Sequence, residues 1–367
     1  MDRLRIGVIF GGRSGEHEVS LASARSIMGV LDPDRYEVVP IGISREGRWI
    51  TSGDPMQRLT GGTAEAAPAA PTCRELVPGA SGTSFPRVDV VFPVLHGPYG
   101  EDGTVQGLLE LADLPYVGCG VLASSLAMDK LAAKAVFAAH GLPQPAYRGI
   151  LRSDWSRSPE QAMAQVEQDL GYPVFVKPAN LGSSIGISKA SDRIELAAGL
   201  AEAARYDRRL IVESAVPHAR EVEVSVMGND HPVASVPGEI LPASEFYDYA
   251  AKYLDDRSRL LIPAPLAPEA AEKLRELAKH AYAALDCAGL ARVDFLLDAI
   301  SGEPFLNEIN TMPGFTRISM FPKLWEASGV PYTQLIDRLI AYALERDRDK
   351  HRSLTRFDGA MSAAPES

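Results

Sequence analysis

The spacing of apolar positions divides the chain into a strand-rich opening, a mixed middle and a long alternating stretch near its end. Residues 5–10 form a short apolar run, followed by the glycine-rich turn Gly11-Gly-Arg-Ser-Gly-Glu-His-Glu18 and a helix predicted over 19–31. Runs at 36–43 and 88–95 predict further strands, the second almost wholly apolar, as a strand covered on both faces must be. A helix is expected over 124–140, where Gly141 and Pro143 supply the stop. Beyond it come strands at 173–178 and 210–213 with a helix at 194–205 between them. The last stretch predicts strands at 221–227 and 231–240, an irregular segment at 241–261 and a helix at 268–285. Two alternating strands follow at 290–297 and 304–309, then helices at 323–327 and 332–345. From Arg346 the chain turns charged, then small and polar, which predicts a loose tail.

The fold class expected is α/β: an N-terminal open sheet over 1–123, a second domain over 124–216, a third over 217–346, and a tail over 347–367. A length of 367 residues suits two or three domains, and 46% hydrophobic with 23% charged residues is the balance of a folded soluble protein. A net charge of −11 argues against nucleic acid or an anionic membrane as main partner. The N-terminal apolar run is too short for a signal peptide or a membrane span. Cys73, Cys119 and Cys287 are scattered without metal or redox spacing, so reduced thiols are expected. The small-residue stretch 61–84 reads as a connecting surface loop.

The two late strands carry the most chemistry. Alternation puts Arg292 and Asp294 on one face of the first, and Glu308 and Asn310 on one face of the second. A turn centred on Ser301 sets Asp294 opposite Glu308 and Arg292 opposite Asn310. Opposed acids destabilise a sheet unless compensated. A hard divalent cation held on substrate phosphates removes that penalty, whereas an exposed polar hairpin face is the plain alternative.

Four other segments gain meaning beside that hairpin. Lys177-Pro-Ala-Asn-Leu-Gly-Ser-Ser-Ile-Gly186 offers a lysine, backbone N–H groups and the hydroxyls of Ser183 and Ser184 to phosphate, although an ordinary loop fits the residues as well. It is not the Walker pattern. Leu210-Ile-Val-Glu213 and Glu221-Val-Glu223 resemble a hinge, where backbone groups and a carboxylate suit adenine and Glu221 suits ribose; plain surface glutamates are the alternative. His96-Gly-Pro-Tyr-Gly-Glu-Asp-Gly103 follows a buried strand, so Glu16 and His96 are expected at the crevice where strands end. Phe246-Tyr-Asp-Tyr-Ala-Ala-Lys-Tyr253 is either a packed loop or a lid bringing Lys252 to phosphate. The glycine spacing of the N-terminal turn disfavours a dinucleotide-binding oxidoreductase.

Taken in order, these motifs, with Met128-Asp-Lys130 and Asn307-Glu-Ile-Asn-Thr-Met-Pro-Gly314, resemble the ATP-grasp superfamily and, within it, the D-alanine–D-alanine ligases. The resemblance covers nearly the whole chain. It implies an N-terminal α/β domain followed by two ATP-grasp domains that sandwich ATP, and ligation through a D-alanyl phosphate for peptidoglycan precursors. It implies that Lys130 and Lys177 contact phosphates, Glu213 and Val216 the adenine, Glu221 the ribose, and Lys252 the transferred phosphate. Two Mg²⁺ (or Mn²⁺) would sit on Asp294, Glu308 and Asn310. Glu16 would orient the first D-alanine, with Ser183 and His96 nearby, and Ser319 would anchor the carboxylate of the second. Tyr253, held by Glu16 and Ser183, would fix the lid, and Arg292 with the Gly314 N–H would stabilise the tetrahedral oxyanion. The family implies a homodimer in the bacterial cytoplasm. Ala250, often charged in relatives, and the 61–84 loop depart from the pattern. A relative joining D-alanine to D-lactate or D-serine, and a non-catalytic nucleotide sensor, are the competing readings.

Overall fold

The computed structural model describes residues 3–61, 86–182, 185–241, 259–316 and 318–354. The first apolar run becomes β1 (Leu4–Gly11), followed by α1 (His17–Met28), β2 (Tyr36–Ile43), a short β3 (Trp49–Ile50), α2 (Pro55–Thr60), β4 (Val90–Val94) and α3 (Thr104–Leu111). The sheet order is β3-β2-β1-β4, parallel except for the β3 edge. Every residue of β4 is buried, which is why its sequence shows no alternation.

The helix expected over 124–140 is two helices, α4 (Val121–Met128) and α5 (Lys130–Ala139). Asp129 breaks it: its backbone is extended and its side chain caps α5 by accepting the Ala132 N–H. The freed Lys130 N–H donates to the Ala179 carbonyl, so α5 starts against the segment that leads into the glycine-rich loop.

The middle of the chain supplies β5 (Tyr147–Leu151), α6 (Arg152–Arg157), α7 (Pro159–Asp169), β6 (Val174–Pro178), β7 (Ser188–Ala190), α8 (Arg193–Ala203) and β8 (Arg209–Ser214). Its antiparallel sheet runs β5-β8-β6-β7, with Val174, Val176, Leu210 and Val212 buried against Val166, Leu196 and Leu200.

The third unit contains β9 (Ala219–Gly228), β10 (Val233–Ala234), β11 (Gly238–Leu241), β12 (Arg259–Leu261), α9 (Pro268–Ala284), β13 (Gly289–Asp298), β14 (Pro304–Asn310), α10 (Met320–Ala327) and α11 (Tyr332–Lys350). The strand expected over 231–240 is split in two. Between the halves the Ser235 hydroxyl accepts the Ser225 N–H, and Pro237 has no N–H to give a ladder. The sheet order is β12-β11-β9-β13-β14, with β10 also on β9. On β13, Ala291, Val293, Phe295 and Leu297 face the core, and the residues between them face the cleft.

The expected start of the tail is corrected, because α11 continues to Lys350. Arg346 lies over the Tyr116 ring at 4.4 Å and donates to the carbonyls of Tyr116 and Gly118. Lys350 pairs with Glu110 at 2.8 Å. The apolar face of α11, with Leu335, Ile336, Leu339 and Ile340, shares one core with Ile6, Val8, Phe10 and Phe92 of the N-terminal sheet.

Candidate active site

The hairpin register matches the sequence expectation at its critical positions: Asp294 pairs with Glu308 and Arg292 with Asn310. Below them the register slips by one at a bulge, so Phe295 faces Leu306. Leu306 and Ile309 are both core residues, while Asn307 and Glu308 both line the cleft. A bulge is what turns two successive side chains to one face.

Two adjoining lobes of one cleft, roughly 970 and 680 Å³ and open to solvent, share Lys130, Leu181, Gly182, Glu223 and Glu308. The larger reaches Glu16, Arg292, Asn310, Gly314 and Ser319. The smaller reaches Lys177, Glu221, Asp294 and Asn307. Lys130 joins the parts: its Nζ lies 3.3 Å from Glu308 Oε2 and donates to the Leu181 carbonyl at 3.0 Å.

Arg292 is tied in place by acids. Its Nε and Nη2 donate to the two oxygens of Asp294 at 2.7 and 2.6 Å, and Nε lies 3.0 Å from Glu223 Oε2. This fork leaves each Asp294 oxygen a further lone pair. Asp294, Glu308 and the Asn310 side-chain oxygen form an all-oxygen donor set on one face, the chemistry that hard divalent cations prefer. The residues present therefore fit a divalent ion.

On the N-terminal side of the larger lobe, Glu16 is buried at the start of α1, and its backbone N–H donates to Ser14 Oγ, which itself donates to the His96 carbonyl at 2.6 Å. Gly97, with φ of 71°, passes so close that a Cβ there would lie 2.8 Å from Glu16 Oε2. At the far wall a Cβ on Gly314 would lie 2.7 Å from Ser319 Oγ, so these two residues are contiguous. Ser319 precedes α10, and its hydroxyl accepts the Thr316 N–H at 3.0 Å. A helix N-terminus beside a hydroxyl suits a carboxylate.

Two expectations change. His96 does not line the larger lobe: its ring is buried, with Nδ1 2.8 Å from the Met312 carbonyl and Nε2 3.4 Å from Ser23 Oγ. Burial pushes its imidazole below the usual range, so it is a neutral strut between the N-terminal unit and the 311–316 loop. The Glu213 carboxylate is not open to an adenine amino group either. It lies 2.5 Å from Lys177 Nζ and 2.9 Å from Lys134 Nζ. Burial opposes its ionisation, but Lys177 and then Lys134 outweigh that and hold the carboxyl down to about 2. Ser183, Ser184, Lys252 and Tyr253, with Ala250 and nearly all of the 61–84 loop, lie outside the described residues. Val216 is half-buried just past β8.

The sequence reading missed three residues. Glu101 lines the larger lobe and accepts the Gly97 N–H at 2.7 Å; burial first, then Glu16, pushes its carboxyl up to about 8. Its signal was an acid in a glycine-rich turn after a buried strand, the same argument that selected Glu16. Glu223 was legible by alternation from Glu221 and stands opposite Asp294 on β9. Lys134 is one helical turn beyond Lys130.

The family model described as D-ala D-ala ligase N-terminus matches residues 5–119, and that described as D-ala D-ala ligase C-terminus matches 136–341. The chain is 55% identical to a D-alanine–D-alanine ligase of Heliobacterium modesticaldum, over 97% of this chain and 98% of that one. Against the enzyme of the same name from Natranaerobius thermophilus the identity is 48%, over 97% and 99%. Among solved structures, the VanG D-Ala:D-Ser ligase from Enterococcus faecalis superposes with a TM-score of 0.80 at 36% identity, over 93% of this chain and 100% of that one. The D-alanine–D-alanine ligase from Coxiella burnetii gives 0.79 at 34%, over 96% and 97%.

Proposed function

The chain belongs to the D-alanine–D-alanine ligase family, and from that premise we propose how its own residues join two D-alanine molecules. The reaction is ATP-dependent synthesis of D-alanyl-D-alanine for peptidoglycan, on an ATP-grasp fold, and the family uses divalent metal. The observation that carries the residue assignments is convergence: Glu16, Lys130, Arg292, Glu308 and Ser319, from distant parts of the chain, line one lobe.

Lys130 and Lys177 hold ATP phosphates, and the hydroxyls of Ser183 and Ser184 are assigned to the same phosphates on the sequence motif alone. Adenine is left to the hinge backbone around Val216, since Lys134 and Lys177 occupy the Glu213 carboxylate, and Glu221 takes the ribose. Asp294, Glu308 and Asn310 would hold two Mg²⁺ (or Mn²⁺), which when bound neutralise the charge that develops on the phosphates. Glu16 pairs with the ammonium of the first D-alanine and turns its carboxylate toward the γ-phosphate. That carboxylate oxygen bonds to phosphorus as the bond to ADP breaks, giving D-alanyl phosphate.

Ser319 and the start of α10 hold the second D-alanine by its carboxylate. Its amine, once deprotonated, attacks the acyl carbon, and the tetrahedral oxyanion is met by Arg292 and the Gly314 N–H, contacts of a type worth about 3–4 kcal/mol. Phosphate then leaves with the C–O electron pair. Lys252 and Tyr253 keep the lid roles that the resemblance implies, excluding water from the acyl phosphate. The family resemblance is what supports reading the protein as a homodimer in the bacterial cytoplasm. Among the described residues no helix is long and apolar enough to cross a membrane.

Incubation with ATP, Mg²⁺, D-alanine and equal D-serine and D-lactate, followed by mass analysis, tests this reading. D-alanyl-D-alanine with one ADP per dipeptide is expected. ATP hydrolysis without ligation, or mostly mixed product, would overturn it.

A further inference from the structure

Lys134 lies in α5 one turn after Lys130, yet its ammonium turns away from the cleft. Its side chain is 1% exposed and ends 2.9 Å from Glu213 Oε1. The other carboxylate oxygen of Glu213 lies 2.5 Å from Lys177 Nζ, and Lys177 also reaches Asn307 Oδ1 at 3.5 Å, beside Glu308. One buried carboxylate is thus shared between a lysine behind the nucleotide lobe and a lysine that lines it.

Burying an ammonium away from the cleft is costly, and Glu213 alone would suffice to pair with Lys177. A Lys177–Glu213 pair by itself carries no net charge, and Glu213, directly behind Lys177, would cancel most of its pull on an incoming phosphate. Burial pulls the Lys134 ammonium down, and Glu213, 2.9 Å away, works to hold its proton; with that proton in place the trio carries net +1. Lys134 also pairs with one Glu213 oxygen, so that Glu213 holds Lys177 through its other oxygen only, and beside Asn307 Lys177 keeps one N–H for the lobe.

We infer that Lys134 is a positioning residue of the nucleotide site: it anchors Glu213 from behind and restores a positive charge to the Lys177 end of the cleft without touching the ligand. The ligand class is a nucleoside polyphosphate, so the inference rests on the ATP reading given above.

Calorimetric titration with Mg·ADP and steady-state kinetics test it on the full-length protein. Lys134→Met is expected to weaken ADP and to raise the KM for ATP about tenfold or more, while kcat at saturating ATP and the KM for D-alanine change less than about threefold. Lys134→Arg, which keeps the charge, should recover part of the affinity. The decisive variant is Lys134→Met with Glu213→Gln, which leaves Lys177 as the sole charge of the trio. It should bind ADP within about threefold of the unmodified protein, better than Lys134→Met alone. Should Lys134→Met fail to fold, the double variant and Lys134→Arg carry the test, and weak ADP binding by a folded double variant overturns the inference. Unchanged ADP binding by Lys134→Met, or additive losses in the double variant, would also overturn it. Failure of the unmodified protein to bind ADP would instead remove the nucleotide reading itself.

Discussion

Asp294 and Glu308 face one another across the β13–β14 ladder, on the cleft side and at the last matched pair before the bulge. Two acids so placed repel unless a cation lies between or beside them, and here Arg292 and Lys130 already supply part of that compensation. Glu308→Gln keeps the shape and removes one charge. Dipeptide formation should fall at least about a hundredfold, with a matching rise in the Mg²⁺ needed for ADP binding. Near-normal ligation by a folded variant would remove the metal assignment.

Glu16→Gln should raise the KM for the first D-alanine by about 10–100-fold, the range expected when a hydrogen bond to a charged group is lost. ADP affinity, measured by titration, should stay nearly constant. Collapse of nucleotide binding with unchanged D-alanine affinity would contradict the role.

At the opposite wall, Ser319→Ala removes a hydroxyl at the start of α10. The expected effect is an increase of about tenfold in the KM for the second D-alanine alone, resolved from the first by its separate saturation phase. An equal effect on both phases would mean that Ser319 shapes the cleft rather than holding one substrate.

Glu101 makes stability depend on pH. Its folded value, about 8, lies above the ordinary 4.5, so the folded protein holds this proton where the unfolded chain has lost it. The stabilisation is full below about 4.5 and is lost as pH rises through about 8, a change on the order of a few kcal/mol. Urea unfolding at a series of pH values should show Glu101→Gln losing less stability than the unmodified protein across that window. Parallel profiles would show that Glu101 does not hold the proton.

Arg346→Met should lower stability by about 2–3 kcal/mol through loss of the ring contact with Tyr116 and two hydrogen bonds to carbonyls. Chemical denaturation measures this directly, and a change within about 0.5 kcal/mol would make the contact a surface ornament.

Much of the candidate site's geometry was legible because local rules governed it. The Asp294–Glu308 register followed from two alternating strands and a turn, and Glu16 from an acid after a glycine turn at a strand end. The bulge was hidden in Leu306 and Ile309, two apolar residues three apart where strict alternation demands an even spacing. Asp129 gave no warning of a helix break, because the same residue serves inside a helix or at its cap; the Ala179 carbonyl, far along the chain, decides. Glu213 looked available for the same reason, since its partners come from α5 and β6. His96 faces Met312, more than two hundred residues away, and no local pattern reports that.

The packing of α11 against the first sheet has a consequence for the order of synthesis. Ile6, Val8, Phe10 and Phe92 leave the ribosome long before Leu335, Ile336, Leu339 and Ile340, which share their core. Until those residues are made, that part of the core stays unfilled and its apolar surface is left to water or to a chaperone. The sheet of β1 and β4 is therefore completed only after the much later α11 is made, and a transcript truncated before α11 should yield a sticky fragment rather than a smaller folded protein.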